Sequence, residues 1–95
     1  MKEYEVTNML SYNGNPVPNQ FEIRDNVRKV HIFQSYKTII AKVYTSCEGM
    51  ITNKIVLDSK ALHYSTTTSK YLYLFLNMSK KEILANKDIT YKDLN

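Results

Sequence analysis

The sequence predicts an α+β fold: a small antiparallel β-sheet of about four to five strands, followed by one or two C-terminal helices packed on one face. Three observations carry this. Between residues 5 and 58, short runs rich in β-branched and aromatic residues alternate apolar with polar side chains. Groups of turn formers separate those runs. From Ser65 onward there is neither glycine nor proline, and two capped apolar stretches follow one another. Ninety-five residues are enough for one core, so the chain reads as a single domain, 1–95.

The elements follow in order. Glu5–Ser11 is a short opening strand. Asn13-Gly14-Asn15-Pro16-Val17-Pro18-Asn19 is the densest group of turn formers and is read as a loop. Phe21-Glu22-Ile23-Arg24 alternates as a half-buried strand does, and Asp25-Asn26 turns the chain. In Lys29–Tyr36, Val30 and Ile32 share one face while His31 and Phe33 share the other. Thr38–Tyr44 repeats the pattern with Ile39, Ala41 and Val43 on one face, close enough to its predecessor for a hairpin. Cys47-Glu48-Gly49 supplies a turn, and Lys54–Asp58 the last strand.

The rest reads as helix. A helix over about 66–78 has no breaker and is apolar almost all round, so it is expected to be the central packing element. Ser79-Lys80-Lys81-Glu82 fits a capping box, opening a second helix over about 79–86. The polar segment 88–95 is expected to be a loosely held tail.

Composition excludes several functions. The net charge of +4 divides into +1 over residues 1–48 and +3 over 49–95, well short of a nucleic-acid-binding tail and of the wrong sign for DNA mimicry. Cys47 is the only cysteine, so no internal disulfide or redox pair can form, which suits a reducing cytoplasm. The first six residues lack the apolar core of a signal peptide. The longest apolar stretch, Tyr71–Leu76, is too short to cross a bilayer, so no membrane role is expected.

Chemistry has few candidates. His31, His63 and Cys47 are the only soft metal ligands, and no two have the close spacing of a metal motif, so neither a metal nor another cofactor is expected. Cys47 lacks a sequence-adjacent base, and the carboxylate pairs lie near the chain ends. An enzyme is therefore not expected.

Two patterns point to binding. The run Tyr64-Ser65-Thr66-Thr67-Thr68-Ser69-Lys70 places hydroxyls and a cation where helix amides are free, a reasonable cradle for phosphate or carboxylate through Ser65, Thr66, Thr67 and Lys70. The plainer account is that one hydroxyl caps the helix and the others are solvated. Second, Tyr36, Tyr44, Tyr64, Tyr71 and Tyr73 lie near Lys37, Lys42 and Lys70. Exposed tyrosines and lysines together can stack bases and hold phosphates, or anchor a protein interface, and the same tyrosines can equally be core.

Phe33-Gln34-Ser35-Tyr36-Lys37-Thr38-Ile39-Ile40-Ala41-Lys42 and Tyr64-Ser65-x-Thr67-Thr68-x-Lys70-Tyr71-Leu72-Tyr73-x-Phe75-Leu76 resemble a group of small uncharacterised proteins carried by phages and mobile elements of Gram-positive bacteria. The upstream Asn13–Phe21 segment belongs to the same pattern, so the resemblance spans roughly Asn13 to Leu76. The group has no assigned activity, and no catalytic residue carries over. The resemblance implies a setting: a non-enzymatic accessory protein in the cytoplasm of a bacterial host cell. There the expected partner is a host protein or nucleoprotein complex. The most specific expectation is an inhibitor of a host defence system, anti-CRISPR-like in action. The alternative is a nucleic-acid-binding protein or transcriptional regulator using a Lys/Tyr surface.

Overall fold

Gly14 sets the first hairpin. Its φ of +80° closes a five-residue loop in which the Gly14 amide donates to the Ser11 carbonyl and the Ser11 amide to the Asn15 carbonyl. That loop joins β1 (Tyr4–Leu10) to β2 (Pro16–Asp25). The computed structural model describes residues 3–45 and 54–95. β3 (Val30–Ser35), β4 (Thr38–Tyr44) and β5 (Lys54–Asp58) continue the sheet, antiparallel at each step. Helices α1 (Thr66–Leu76) and α2 (Lys80–Ala85) follow, and then β6 (Thr90–Lys92) returns to pair with β5 in parallel.

The α+β class stands, with corrections. Among the described residues the sheet has six strands in the order β1-β2-β3-β4-β5-β6, not four to five, and it is mixed rather than antiparallel throughout. The helices are not C-terminal, because a parallel neighbour requires a crossover and they form it. Residues 88–95 are not a loose tail: Ile89 is buried, and β6 joins the sheet. The turn expected at Cys47-Glu48-Gly49 lies outside the described residues.

Asp58 explains the order at that end. The carboxylate is buried, and it accepts from the Leu94 amide (3.0 Å) and Asn95 Nδ2 (3.3 Å) through Oδ1. Oδ2 accepts from the Lys60 amide (3.1 Å) and the Tyr64 hydroxyl (3.0 Å). Asn95 then completes a strand-like pair with Ile39, its Oδ1 accepting from the Ile39 amide at 2.8 Å and its Nδ2 donating to the Ile39 carbonyl at 3.0 Å. The composition of the tail does not announce these contacts, because half of their donors are backbone amides and their partners are remote in sequence.

Two further local rules gave way. Pro16–Asn19 is strand rather than loop: Pro16 is its first residue, and Pro18 sits where β2 has no ladder partner, so no amide is missed there. In β4 a register shift opposite Phe33 and Gln34 interrupts the alternation. Ala41 faces Phe33 and Leu57 in the core, whereas Ile39 pairs with Gln34 and moves to the other face.

The core lies between one sheet face and α1. Phe33, Ile40, Ala41, Leu57, Ala61, Leu72 and Ile83 form it, with Tyr71 and Met9 at its margin. Phe75 stacks on Phe33, with ring centroids 5.7 Å apart. Full burial of a side chain such as Leu72 contributes about 2–3 kcal/mol. α1 is not apolar-packed all round as expected: Tyr73, Phe75 and Leu76 are half-buried and Leu74 is exposed. It ends at Leu76 because Asn77 takes the left-handed conformation (φ 54°). The Asn77 and Met78 amides then close back on the Leu74 and Tyr73 carbonyls. The capping box holds: Ser79 Oγ accepts from the Glu82 amide, and Glu82 Oε1 from the Ser79 amide.

Burial alone would push the Asp58 carboxyl up, but hydrogen bonds from Leu94, Lys60, Tyr64 and Asn95 outweigh it and hold the group below its ordinary value. A depressed native pKa gives stability that is full above about pH 4 and lost as pH falls through the native value. Asp58→Ala is expected to cost about 3 kcal/mol in urea unfolding at pH 7, since it strands four donors. Asp58→Asn is expected to lose less stability than the parent between about pH 5 and pH 2. Identical acid profiles for parent and Asp58→Asn would remove Asp58 from this role.

Candidate functional site

The hydroxyl run that opens α1 divides by position. Ser65 is the N-cap: its Oγ accepts from the Thr68 amide at 3.2 Å and donates to Thr68 Oγ1 at 3.2 Å. Thr68 Oγ1 is in turn 2.9 Å from Ser35 Oγ in a buried contact. Ser65 and Thr68 thus join the helix to β3. Thr67 is exposed and borders neither hollow described below. Thr66 and Ser69 turn the other way, into a groove.

That groove is open and has a volume of about 840 Å³. Its floor is the outer side of α1, with Thr66, Ser69, Lys70, Tyr73 and Leu74. One end is closed by Leu62 and Tyr64, the other by Asn77, Met78 and the start of α2. The far wall is Tyr12, at the tip of the β1–β2 loop and 84% exposed. Lys70 reaches toward the far wall: its Nζ lies 5.0 Å from the Tyr12 ring centroid, and 5.5 Å from that of Tyr71, which is buried beneath the groove lining. Among the described residues the only carboxylate lining the groove is Glu82. The Ser79 amide and hydroxyl engage it and hold its pKa below the ordinary value. Lys70 and Lys80 leave the lining net positive.

Tyr64 separates this groove from a smaller hollow of about 230 Å³ lined by Ser35, Tyr36, Thr38, Ile40, Ser65 and Thr68. Burial, and then the Asp58 carboxylate that accepts its proton, push the Tyr64 hydroxyl above its usual value. Tyr36 is the unusual residue here. It is 61% exposed and sits at φ 56°, a conformation that a bulky side chain rarely adopts. Its amide donates to the Asn19 carbonyl at 2.6 Å, and its carbonyl accepts from Gln34 Nε2 at 2.7 Å. The backbone is therefore pinned at both ends while the ring projects. Lys37 lies beside it, exposed, in the same turn.

Lys42 and Tyr44 are not part of this surface. Ala41 faces the core, so strand alternation puts its neighbour Lys42, and Tyr44 with it, on the opposite side of the sheet. Of the ten residues the sequence nominated, Thr66, Lys70, Tyr64 and Tyr73 meet in the groove. Tyr36 and Ser65 line the adjoining hollow, Lys37 follows Tyr36 in its turn without lining it, Thr67 is apart, and Lys42 and Tyr44 lie across the sheet.

Tyr12, Asn77, Met78 and Lys80 were missed. Tyr12 had a signal: a tyrosine next to Asn-Gly in a turn is presented to solvent by the loop itself. Its meeting with Lys70 had none, because only the fold brings the hairpin tip to α1. Among the described residues no group of three His, Cys, Asp or Glu side chains is placed to hold a metal ion, and no helix is long and apolar enough to cross a membrane.

The model of a family of unknown function, DUF8033, matches residues 4–92. The chain belongs to that family. No curated protein and no solved structure matches it. The DUF8033 match begins on the first residue of β1 and ends on the last of β6. The family unit therefore includes the strand that follows the helices and both walls of the groove.

A left-handed tyrosine costs about 1–2 kcal/mol, and glycine at the same place forgoes that cost against about 0.5–1 kcal/mol of extra chain entropy. Tyr36→Gly is expected to raise stability by about 0.5–1 kcal/mol in thermal or urea unfolding. Ser65→Ala, which removes the cap, is expected to lower it by about 1 kcal/mol. A destabilised Tyr36→Gly variant would mean that the exposed ring serves the fold.

Proposed function

We propose that this DUF8033 chain is a non-enzymatic binding protein that docks an acidic segment of a partner protein in the Tyr12–Lys70–Tyr73 groove. The observation that carries this is the contact of Lys70 with the Tyr12 and Tyr71 rings. An ammonium within cation–π reach of two rings, in an open groove where Glu82 is already engaged, suits an incoming carboxylate flanked by apolar side chains. Tyrosines give such a surface large contact area at low entropy cost. The exposed, strained Tyr36 fits a second anchor beside it: backbone strain at a ring that packs on little else is more readily understood as serving recognition.

Taken with the resemblance to small proteins of phages and mobile elements, this makes the chain an accessory factor that occupies a surface of a host protein or nucleoprotein complex. Its most specific form is an inhibitor of a host defence system, anti-CRISPR-like, acting in the bacterial cytoplasm. Direct nucleic-acid binding through a Lys/Tyr surface is less well supported, because Lys42 and Tyr44 lie on the other side of the sheet from Lys70.

The test is affinity capture from nuclease-treated bacterial lysate with the parent, Lys70→Glu, Tyr12→Ala and Lys42→Glu. The parent and Lys42→Glu are expected to retain one stoichiometric protein. Lys70→Glu and Tyr12→Ala are expected to lose at least tenfold in recovery, with unchanged circular dichroism. Recovery of nucleic acid alone, abolished by moderate salt, would overturn the protein-docking reading. Loss with Lys42→Glu but not with Lys70→Glu would place the contact on the other face.

A further inference from the structure

The two edges of the sheet are finished differently. β6 is three residues long, ends in Lys92, and is followed by the segment clasped to Asp58 and Ile39. Short, charged edges of this kind resist further strand pairing. β1 is seven residues long, carries only Glu5 as a charge, and is regular against β2 from Tyr4 to Asn8, its one register shift falling between Asn8 and Leu10. Among the described residues no strand pairs with its outer side.

The hydrogen-bond phase of that edge follows from one contact. The Asn26 amide donates to the Glu3 carbonyl at 2.8 Å, so in β1 the odd residues Glu3, Glu5 and Thr7 bond inward to β2. The amides and carbonyls of Tyr4, Val6 and Asn8 therefore point outward. The side chains of the same residues lie on the sheet face away from α1, where Val6 is 61% and Tyr4 50% exposed. Val6 stands at the end of a cross-strand aliphatic row, Val6–Ile23–Ile32. The Tyr4 hydroxyl is satisfied by the Arg28 guanidinium at 2.9 Å, leaving its ring free to pack.

We infer that β1 pairs antiparallel with β1 of a second copy of this chain about a two-fold axis at Val6, forming a continuous twelve-stranded sheet across the dimer. The aliphatic row favours this occupant and this register, and the charge pattern permits them. With Val6 opposite Val6, Tyr4 faces the second copy's Asn8, Glu5 faces its Thr7 and Glu3 its Met9, so no carboxylate meets another directly. Glu5 also keeps Arg24 of its own chain as its inward neighbour. The aliphatic row then runs unbroken from Ile32 through both valines to the second copy's Ile32. Each Val6 is covered on both sides, and the outward amides of Tyr4, Val6 and Asn8 find carbonyl partners. This contact lies on the far side of β1 from the groove and does not depend on the proposed function.

Sedimentation equilibrium over a range of concentrations tests it, with Val6→Lys as the disrupting variant and Leu84→Lys, on exposed α2, as the control. The parent and Leu84→Lys are expected to dimerise, and Val6→Lys to sediment as a monomer with unchanged circular dichroism. A parent that is monomeric at the highest concentration reached, or a Val6→Lys dimer as tight as the parent's, overturns the proposal. Amide exchange of the unmodified chain decides the matter if Val6→Lys does not fold. Protection at Tyr4, Val6 and Asn8 is expected to rise at least tenfold with concentration while that at Glu5 and Thr7 stays constant. Concentration-independent exchange at all five overturns it.

Discussion

Asp58 is a buried charge that the fold must satisfy, and satisfying it brings three separate stretches of chain together. Its two oxygens accept from Lys60 in the turn after β5, from Tyr64 before α1, and from Leu94 and Asn95 at the end of the chain. A carboxylate out of water is tolerated only with partners of this number and quality, so the contacts stand or fall as a set. Fixing Tyr64 fixes the entry to α1, and fixing the last residues lays β6 beside β5. The sheet thereby gains its sixth strand, and α1 is held over Phe33 and Leu57 with its outer side turned to solvent.

That outer side is where the chain offers chemistry to a partner. A helix packed by a complete second layer would have no groove. Here the inner stripe of α1 (Thr68, Tyr71, Leu72) meets the sheet, and the outer stripe (Thr66, Lys70, Tyr73) remains available. The β1–β2 hairpin leans its tip over this stripe, so Tyr12 and Lys70 face one another although they belong to distant parts of the sequence. Rigid elements frame the groove on every side: a capped helix start, a left-handed Asn77 stop, and a glycine-closed hairpin. A surface so framed is pre-organised, which lowers the entropic cost of binding.

Much of the fold was legible because its signals are local. Period-two alternation gave β3, β4 and β5, and the Ser79–Glu82 box gave α2. What was missed depends on partners remote in sequence. Pro16–Asn19 has turn composition but is held as strand by the pairing of Pro16 with Leu10 of β1, by the Tyr36 amide that donates to the Asn19 carbonyl, and by the Asn8 side chain, which donates to the Val17 carbonyl at 2.9 Å. Thr90–Lys92 is too short and polar to register as a strand until β5 is beside it. Asn77 was a readable stop signal for α1, and so was Tyr12 in its turn for exposure. The candidate site was legible as residue types around Ser65–Lys70. The separation of Lys42 and Tyr44 from it was not foreseen, because which strand face meets the helices is set by packing.

The dependence of the whole on the Asp58 clasp is most directly measured by native-state hydrogen exchange at the Leu94 amide, followed at neutral pH in the parent chain. If the clasp closes the fold, Leu94 exchanges only through openings nearly as costly as those of the β4 core, and its protection falls away with acidification as Asp58 takes up a proton. Exchange of Leu94 at the rate of an unstructured peptide, with β4 still protected, would show that the sheet and the groove stand without it.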